Sequence, residues 1–552
     1  MDIKAVLKEA IIKACDKAEE KGLIPKGERP QVLFEVPPQK TFGDFSCNFA
    51  MQAAKTLKAK PRSIAEAIEQ NIECPLLERL EIAGPGFMNF FLKSDWLYEL
   101  LKEIDAKGDD FGNLPKKQEG CTQVEYVSAN PTGPLHVGHG RGAAVGSAVV
   151  NLLRTAGYRV EAEYYINDAG NQINNLAASV NARYLELLDV PVEFPEDGYH
   201  GYDIIDTAKR IVENEGDKYL NMATKDRLAV FRSLALKEKL AILKEDLEKF
   251  NVHFDTWFSE QTLHDTNEIE KCCQELIEKG YMYEKDGAKW LKSTAFGDDK
   301  DRVVIRENGI PTYLAADIAY HKNKFSRGFD HLINLWGADH HGYIKRMQAA
   351  CEALGYKAEQ LEVLVLQMVN LFRDGELVKM SKRTGQSVTL DELIEEVGTD
   401  AARYFFIMRS IDSQLDFDLT LATEKSNENP VYYIQYAHAR ICSIFRQTSE
   451  AGIILDKDVN LSCLAEECEI DIIKKLGEYE QEIESAAISR APHRIARYAH
   501  EMAGLFHSFY NQCRILGVEP DVQQARLVLV GNVRKTIAHA LGVLGVSAPE
   551  QM

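Results

Sequence analysis

Two histidines and two lysines stand out for their type and spacing. His136-Val137-Gly138-His139 follows a loop bent by Pro131 and Pro134 and sits where a helical pattern begins. Residues three apart share a helix face, and a helix start offers unpaired N–H groups and partial positive charge, a setting that suits phosphate. Gly138, Gly140 and Gly142 would let a nucleotide approach the backbone closely. A dinucleotide fingerprint fits less well: after Gly140-Arg141-Gly142 the third glycine, Gly146, is one residue late, and no ribose-binding acid follows at the usual spacing. About 240 residues beyond His139, Lys379-Met380-Ser381-Lys382-Arg383 offers two mobile point charges. Alone, such a stretch is more often a solvated loop.

Acids in unexpected places form a second group. Glu125 lies amid Val124, Tyr126 and Val127, where an unpaired carboxylate in a buried strand is costly; the plain alternative is that alternation turns it to solvent. Tyr313 and Asp317 are four apart and share a face if their segment is helical; the plain alternative is a core tyrosine and a capping acid. Asn167 and Asp168 end a strand-like run, where parallel sheets form their ligand crevice, or they make an ordinary turn.

These residues need a scaffold, and the flanking patterns supply one. Gln123–Val127 reads as a strand, 137–156 as a helix stopped by Gly157, and Arg159–Ile166 as a second strand. Strand, helix, strand in about 45 residues is a βαβ unit, the seed of a doubly wound parallel sheet. A mostly helical insertion is expected over about 170–275, with strands resuming near Trp290 and continuing at His331–Trp336 and Leu361–Val369. From Pro430 only helices are expected: Tyr432–Thr448, Asp471–Ser489, Pro492–Cys513 and Gln523–Val543. The turn-rich Asp109–Pro115 marks a boundary after an N-terminal α+β stretch. Three domains follow: 1–112, 113–429 and 430–552.

Composition narrows the possibilities. The 552 residues carry a formal charge of -20, which argues against a protein that coats nucleic acid nonspecifically but leaves room for one basic face. No apolar run of about 18 residues exists, so no membrane span is expected, and the start lacks the pattern of an export signal. Eleven scattered cysteines without CxxC pairs fit reduced thiols in a cytoplasm, and no metal-ligand spacing is present.

The string Ser128-Ala-Asn-Pro-Thr-Gly-Pro-Leu-His-Val-Gly-His-Gly-Arg-Gly-Ala143 resembles the HIGH loop of class I aminoacyl-tRNA synthetases in the bacterial form of the arginyl-tRNA synthetase family. Lys379–Arg383 resembles that class's KMSKS loop, with arginine in place of the final serine. The resemblance extends over nearly the whole chain, including Thr399–Ala422 and the tail that ends at Met552. It implies a Rossmann-like doubly wound α/β catalytic domain, an N-terminal α+β domain that reaches tRNA, and a C-terminal all-α anticodon-binding bundle.

It also implies chemistry. A carboxylate attacks the α-phosphate of ATP, pyrophosphate leaves, and the aminoacyl group passes to tRNA. Positioning and electrostatics carry such a transfer. His136, His139, Lys379 and Lys382 are the implied catalytic groups, with Gly138, Gly140, Met380 and Ser381 around ATP and Mg2+ on its phosphates. Glu125, Asn130, Tyr313 and Asp317 are the implied arginine site, with Asn167 and Asp168 beside it; carboxylates and a ring suit a planar cation. Some relatives have a glutamine after the next strand. Here Trp336-Gly-Ala-Asp339-His340-His341 has none, a departure from that pattern, and Asp339 and His340 are expected near the ATP ribose and base. Tyr436, Arg440 and Met552 are expected at tRNA, on a cytoplasmic monomer with no DNA or membrane partner. The family also implies that arginine activation waits for tRNA. Alternatives are a nucleotidylyltransferase, which would be shorter and lack the bundle; a noncatalytic tRNA-binding relative; and a lysine-specific enzyme.

Overall fold

The computed structural model describes residues 3–37, 39–118, 120–378, 380, 387–456 and 458–552. The chain opens with α1 (Ile3–Glu20), β1 (Phe45–Cys47), α2 (Phe49–Leu57), α3 (Pro61–Glu69), β2 (Leu77–Ala83), β3 (Phe87–Leu92) and α4 (Asp95–Lys107). β3 is the middle strand of an antiparallel sheet with β1 and β2. In α1 the buried Leu7, Ile11, Ala14, Cys15 and Ala18 recur at helical spacing.

The middle of the chain holds β4 (Cys121–Glu125), α5 (Val137–Thr155), β5 (Arg159–Ile166), α6 (Asn171–Leu187), α7 (Tyr202–Glu215), α8 (Thr224–Lys249), β6 (Thr256–Ser259), α9 (Gln261–Asp265), α10 (Glu268–Glu278), β7 (Met282–Lys285), β8 (Ala288–Leu291), β9 (Arg302–Ile305), α11 (Tyr313–Ser326), β10 (His331–Gly337), α12 (Ile344–Leu354), β11 (Leu361–Leu366), β12 (Val369–Arg373), β13 (Glu376–Val378), α13 (Leu390–Val397), α14 (Thr399–Ile407), β14 (Leu415–Asp418) and α15 (Leu419–Thr423). The remainder is helical: α16 (Pro430–Glu450), α17 (Glu467–Gly477), α18 (Tyr479–Ile488), α19 (His493–Gln512) and α20 (Pro520–Val543). Pro430 and Pro520 stand at helix starts, where the missing N–H costs nothing.

Five strands form a parallel sheet in the order β11-β10-β4-β5-β6. The chain moves outward from β4 through β5 to β6, then returns to β4's other side with β10. That reversal is a topological switch point, where α/β sheets hold ligands beyond the strands' carboxyl ends.

Three expectations need correction. The stretch 170–275 is not wholly outside the sheet, because β6 within it is the sheet's edge strand. The strand around Trp290 belongs to a separate antiparallel sheet, β7-β8-β9. The helix expected over 471–489 is two helices that meet at Glu478. Short apolar runs reveal a strand but not its partner, so the sheet assignment was open to error.

Compactness groups the chain differently from its linear order. One unit comprises 1–109, 452–477 and 508–533; the other comprises 110–451, 478–507 and 534–552. Within the first, Tyr98 Oη donates to Leu464 O at 3.1 Å and Asn532 Nδ2 to Asp105 Oδ1 at 3.2 Å. Within the second, the buried Arg403 guanidinium donates to Leu544 O, Phe250 O and the Ser147 hydroxyl.

Candidate active site

Asn334 of β10, Glu125 of β4 and Glu163 of β5 are direct cross-strand partners. They make a buried polar row where three apolar residues would be expected. Helix α11 lies over this row and answers it at helical spacing. Arg327 grips Glu163 with two parallel bonds, at 2.5 and 2.8 Å, and the Tyr320 hydroxyl donates to the same carboxylate. Lys324, fully buried, donates to Glu125 Oε2 and to Asn334 Oδ1. Asn334 in turn bonds His321 at 2.8 Å, and His321 Nδ1 donates to Asp317 O. Burial and the charge of Lys324 hold the His321 pKa down to about 3, so this ring is neutral.

Asp317 is the exception on α11. Tyr343 donates to its Oδ2 at 2.7 Å, but no Lys or Arg pairs with it among the described residues. Burial pushes its pKa up to about 7, and Glu125 and Glu260 push the same way. Glu260, just past β6, is also buried and raised by burial, with His264 3.7 Å away. Tyr165 stands among Glu260, Asp317 and Glu125, whose charges add to burial in holding its hydroxyl protonated. With its amide nitrogen turned toward acceptors, Asn167 donates to Glu260 at 3.0 Å. The result is a carboxylate-rich recess with too little positive charge, suited to an incoming planar cation.

The backbone leaving β4 is strained to make room. Val127 and Ser128 have φ of 67° and 41°, a region that L residues, β-branched ones above all, rarely adopt. Ser128 holds the bend: its hydroxyl donates to Glu125 Oε1 and accepts from Tyr165 N, both at 3.1 Å. The loop then reaches α5, where the two histidines form a reciprocal cap. His136 Nδ1 accepts from Gly138 N at 3.1 Å, and His139 Nδ1 accepts from His136 N at 3.3 Å. With both Nδ1 atoms accepting, the proton on each neutral ring is assigned to Nε2. The rings stack with centroids 3.7 Å apart. Burial, with His136 adding, lowers His139 to about 4, and burial also lowers His136. Both are therefore neutral N–H donors near pH 7.

The first signature meets the segment 388–390, which follows the second in the chain. Leu390 N donates to Leu135 O at 2.7 Å and Val137 N to Val388 O at 3.2 Å, bridging His136 to Thr389. Arg141, buried, donates to Gln367 O, Ser410 O and Ser413 O. The expected Lys379, Ser381 and Lys382 lie outside the described residues; Met380 is exposed.

Other expected residues are distributed as follows. Gly140 is buried, and a Cβ there would come within 2.9 Å of Leu390 and 3.2 Å of Phe406. It makes room for packing rather than for a nucleotide, which corrects the expectation. At Gly138 a Cβ would stand 3.0 Å from the His136 ring, so this glycine serves the cap. Asp168 uses its carboxylate on Ser259 Oγ and Gln261 N, tying β5 to the turn after β6. Asn130 and Tyr313 are exposed. Asp339 and His340 are exposed on the 3-10 turn after β10, at the switch point. Arg440 donates to the Tyr436 hydroxyl at 2.7 Å and lies over its ring; Tyr432 and His507 stack beside it. Met552 is exposed. Sequence reading missed Glu260, Tyr165, Tyr343 and Lys324. Position after a short strand was the one signal for Glu260; the others gave none.

Comparison with known proteins adds an independent line. Residues 1–92 match the arginyl tRNA synthetase N terminal domain, 106–410 the class I (R) tRNA synthetase catalytic domain, and 434–552 the DALR anticodon binding domain. An arginine–tRNA ligase from Carboxydothermus hydrogenoformans is 53% identical, covering 100% of this chain and 98% of the relative. Another from Desulforamulus reducens is 51% identical, covering 100% and 99%. The solved structure of the Thermus thermophilus arginyl-tRNA synthetase is 22% identical, with a TM-score of 0.76 over 100% of both chains, a likeness of fold.

Proposed function

The chain belongs to the arginyl-tRNA synthetase family, and from that premise we propose how its own residues perform the reaction. It is a ligase that joins arginine to tRNA at the expense of ATP. The observation that carries the site assignment is Asp317: a half-buried acid with no Lys or Arg partner among the described residues, its pKa pushed up to about 7, beside Glu260 and Tyr165 at the switch point. A guanidinium there would supply the missing charge and let Asp317 ionise.

Asp317 and Glu260 take the guanidinium, with Tyr343 and Tyr165 orienting the acids. Glu125 and Asn130 hold the substrate's amino and carboxylate end, and Tyr313 stacks over the side chain as a cover. Asn167 acts by orienting Glu260, and Asp168 by fixing the turn that carries it. The arginine carboxylate then attacks the α-phosphorus of ATP, and pyrophosphate leaves in line. Nε2–H of His136 and His139 donates to phosphate oxygens as charge builds there. Lys379 and Lys382, with Met380 and Ser381, serve the departing pyrophosphate. Asp339 and His340 lie toward the ribose and base. Among the described residues no cluster of three His, Cys, Asp or Glu could cage a cation, so Mg2+ fits as an ion carried by the phosphates, where it would neutralise their charge. The adenylate is finally attacked by a hydroxyl of the tRNA's terminal adenosine.

We assign 1–112 and 430–552 to tRNA contact, with Tyr436 and Arg440 as a stacking platform and Met552 at the RNA. Residues 113–429 carry the chemistry. We also read the protein as a cytoplasmic monomer, on cysteine usage and family resemblance. Pyrophosphate exchange with arginine or lysine, with and without tRNA, tests the whole reading. Exchange driven by lysine but not arginine would overturn the specificity, and arginine exchange without RNA would remove the tRNA requirement.

A further inference from the structure

Cysteine spacing in the sequence marks no pair, yet folding makes one. Cys468, in the first turn of α17, and Cys513, just past α19, are 45 positions apart and bring their sulfurs to 3.6 Å. Both are free and partly exposed. The contact is held from both sides by one guanidinium. Arg526 of α20 donates to Glu469 Oε1 and to Arg514 O, each at 2.6 Å. Glu469 and Arg514 are the immediate neighbours of the two cysteines. The Glu469 carboxylate is fully buried and also accepts from Glu466 N at 2.9 Å. The thiols therefore face each other across a fixed gap, not across a chance surface contact. All these residues lie in the unit that contains 452–477 and 508–533.

We propose that Cys468 and Cys513 form a reversible dithiol–disulfide site that takes a hydroperoxide as oxidant and a small thiol as reductant. Burial and the neighbouring sulfur hold the Cys468 thiol up, which suits it to the resolving role, and Cys513 takes the attacking one. Its thiolate attacks one peroxide oxygen; the O–O bond breaks, a sulfenic acid forms, and the other oxygen leaves as water or an alcohol with the thiol's proton. The Cys468 sulfur then attacks the sulfenic sulfur. The S–S bond forms, the S–O bond breaks, and water leaves with the Cys468 proton. Two thiols have given two electrons to the peroxide. The sulfurs must close to about 2.05 Å, a movement within the reach of side-chain rotation. The product staples α17 to the connection between α19 and α20, and a small thiol reverses it by exchange.

The test uses the full-length protein treated with a slight excess of hydrogen peroxide, alkylated and mapped without reduction. The expected product is a Cys468–Cys513 linked peptide, lighter by two hydrogens than the reduced pair and lost on adding dithiothreitol. It should be absent from Cys468→Ser and Cys513→Ser and retained in Cys463→Ser. The linked protein should unfold at a higher temperature than Cys468→Ser treated identically. Two thiols that stay fully alkylatable, oxidation that yields only sulfinic acid or intermolecular dimers, or an unchanged unfolding temperature would overturn the proposal.

Discussion

The acids around the end of β4 divide into two groups that a list of residue types would not separate. Glu163 and Glu125 each find a counter-charge within the protein, from Arg327 just past α11 and Lys324 on it. Among the described residues Asp317, on α11, and Glu260 have no Lys or Arg partner, and burial raises the pKa of both. A buried acid becomes scaffold or ligand according to whether the fold supplies its cation. In the first group the protein completes the pair; in the second the substrate does. Glu125 touches both: Lys324 holds one oxygen and Ser128 the other, so it is a positioned carboxylate rather than an unsatisfied one.

The contrast is sharpest if each group is broken separately. Asp317→Asn removes the ligand acid. Losing one member of a buried charged contact costs about 2–5 kcal/mol, so kcat/KM for arginine in pyrophosphate exchange should fall by roughly 10²–10³-fold. Thermal stability at pH 8 should not fall; a variant that kept its arginine KM would put the pocket elsewhere. Lys324→Met removes a scaffold cation, leaving Glu125 buried without its charge partner, a loss of about 3 kcal/mol or more. Its unfolding midpoint should drop by several degrees, and Lys324→Met with Glu125→Gln should recover most of that. Equal midpoints for single and double variants would mean the pair does not carry the scaffold.

The pH dependence follows from the same division. The pKa of Asp317 in the folded free enzyme, about 7, lies above its unfolded value near 3.8. The folded state therefore binds more protons between these limits, and its stability declines as pH rises from about 4 to about 7. Arginine prefers the ionised acid, so the KM for arginine should rise about tenfold per pH unit below 7. The trend should vanish in Asp317→Asn; a profile unchanged in that variant would assign the titration to another group. The smallest effect is expected from Ser128→Ala, which loses two hydrogen bonds at the strained turn. About 1 kcal/mol per bond should appear as a modestly lower midpoint and an arginine KM raised several-fold. No change in either would show that the bend holds without its hydroxyl.

Much of this was legible before folding. The helix from Val137 was announced by glycine, histidine and proline spacing, and it begins there because His136 caps it. The βαβ unit followed from two apolar runs around that helix, and the four-residue spacing of Tyr313 and Asp317 announced the helix they share. The membership of β6 and β8 was not legible, because four residues show strand character but not a partner. Gly140 was misread as making room for a ligand, because a glycine's need for space looks the same whether a nucleotide or Leu390 fills it. Tyr313 kept its place on α11 but is exposed, since helical phase does not say what covers a face.

What the chain determined by itself is the local chemistry: the two signature stretches, the helix starts and the types of acid near each strand end. These depend on neighbours within about one turn or one pleat, and that information is contiguous in sequence. Only the tertiary structure decided which acids are satisfied. Lys324 lies 199 positions from Glu125, Arg327 lies 164 from Glu163, and Glu260 reaches Asp317 through β6 and α11. Pairing and desolvation depend on distances in space, and those distances exist only after the strands have taken their order in the sheet.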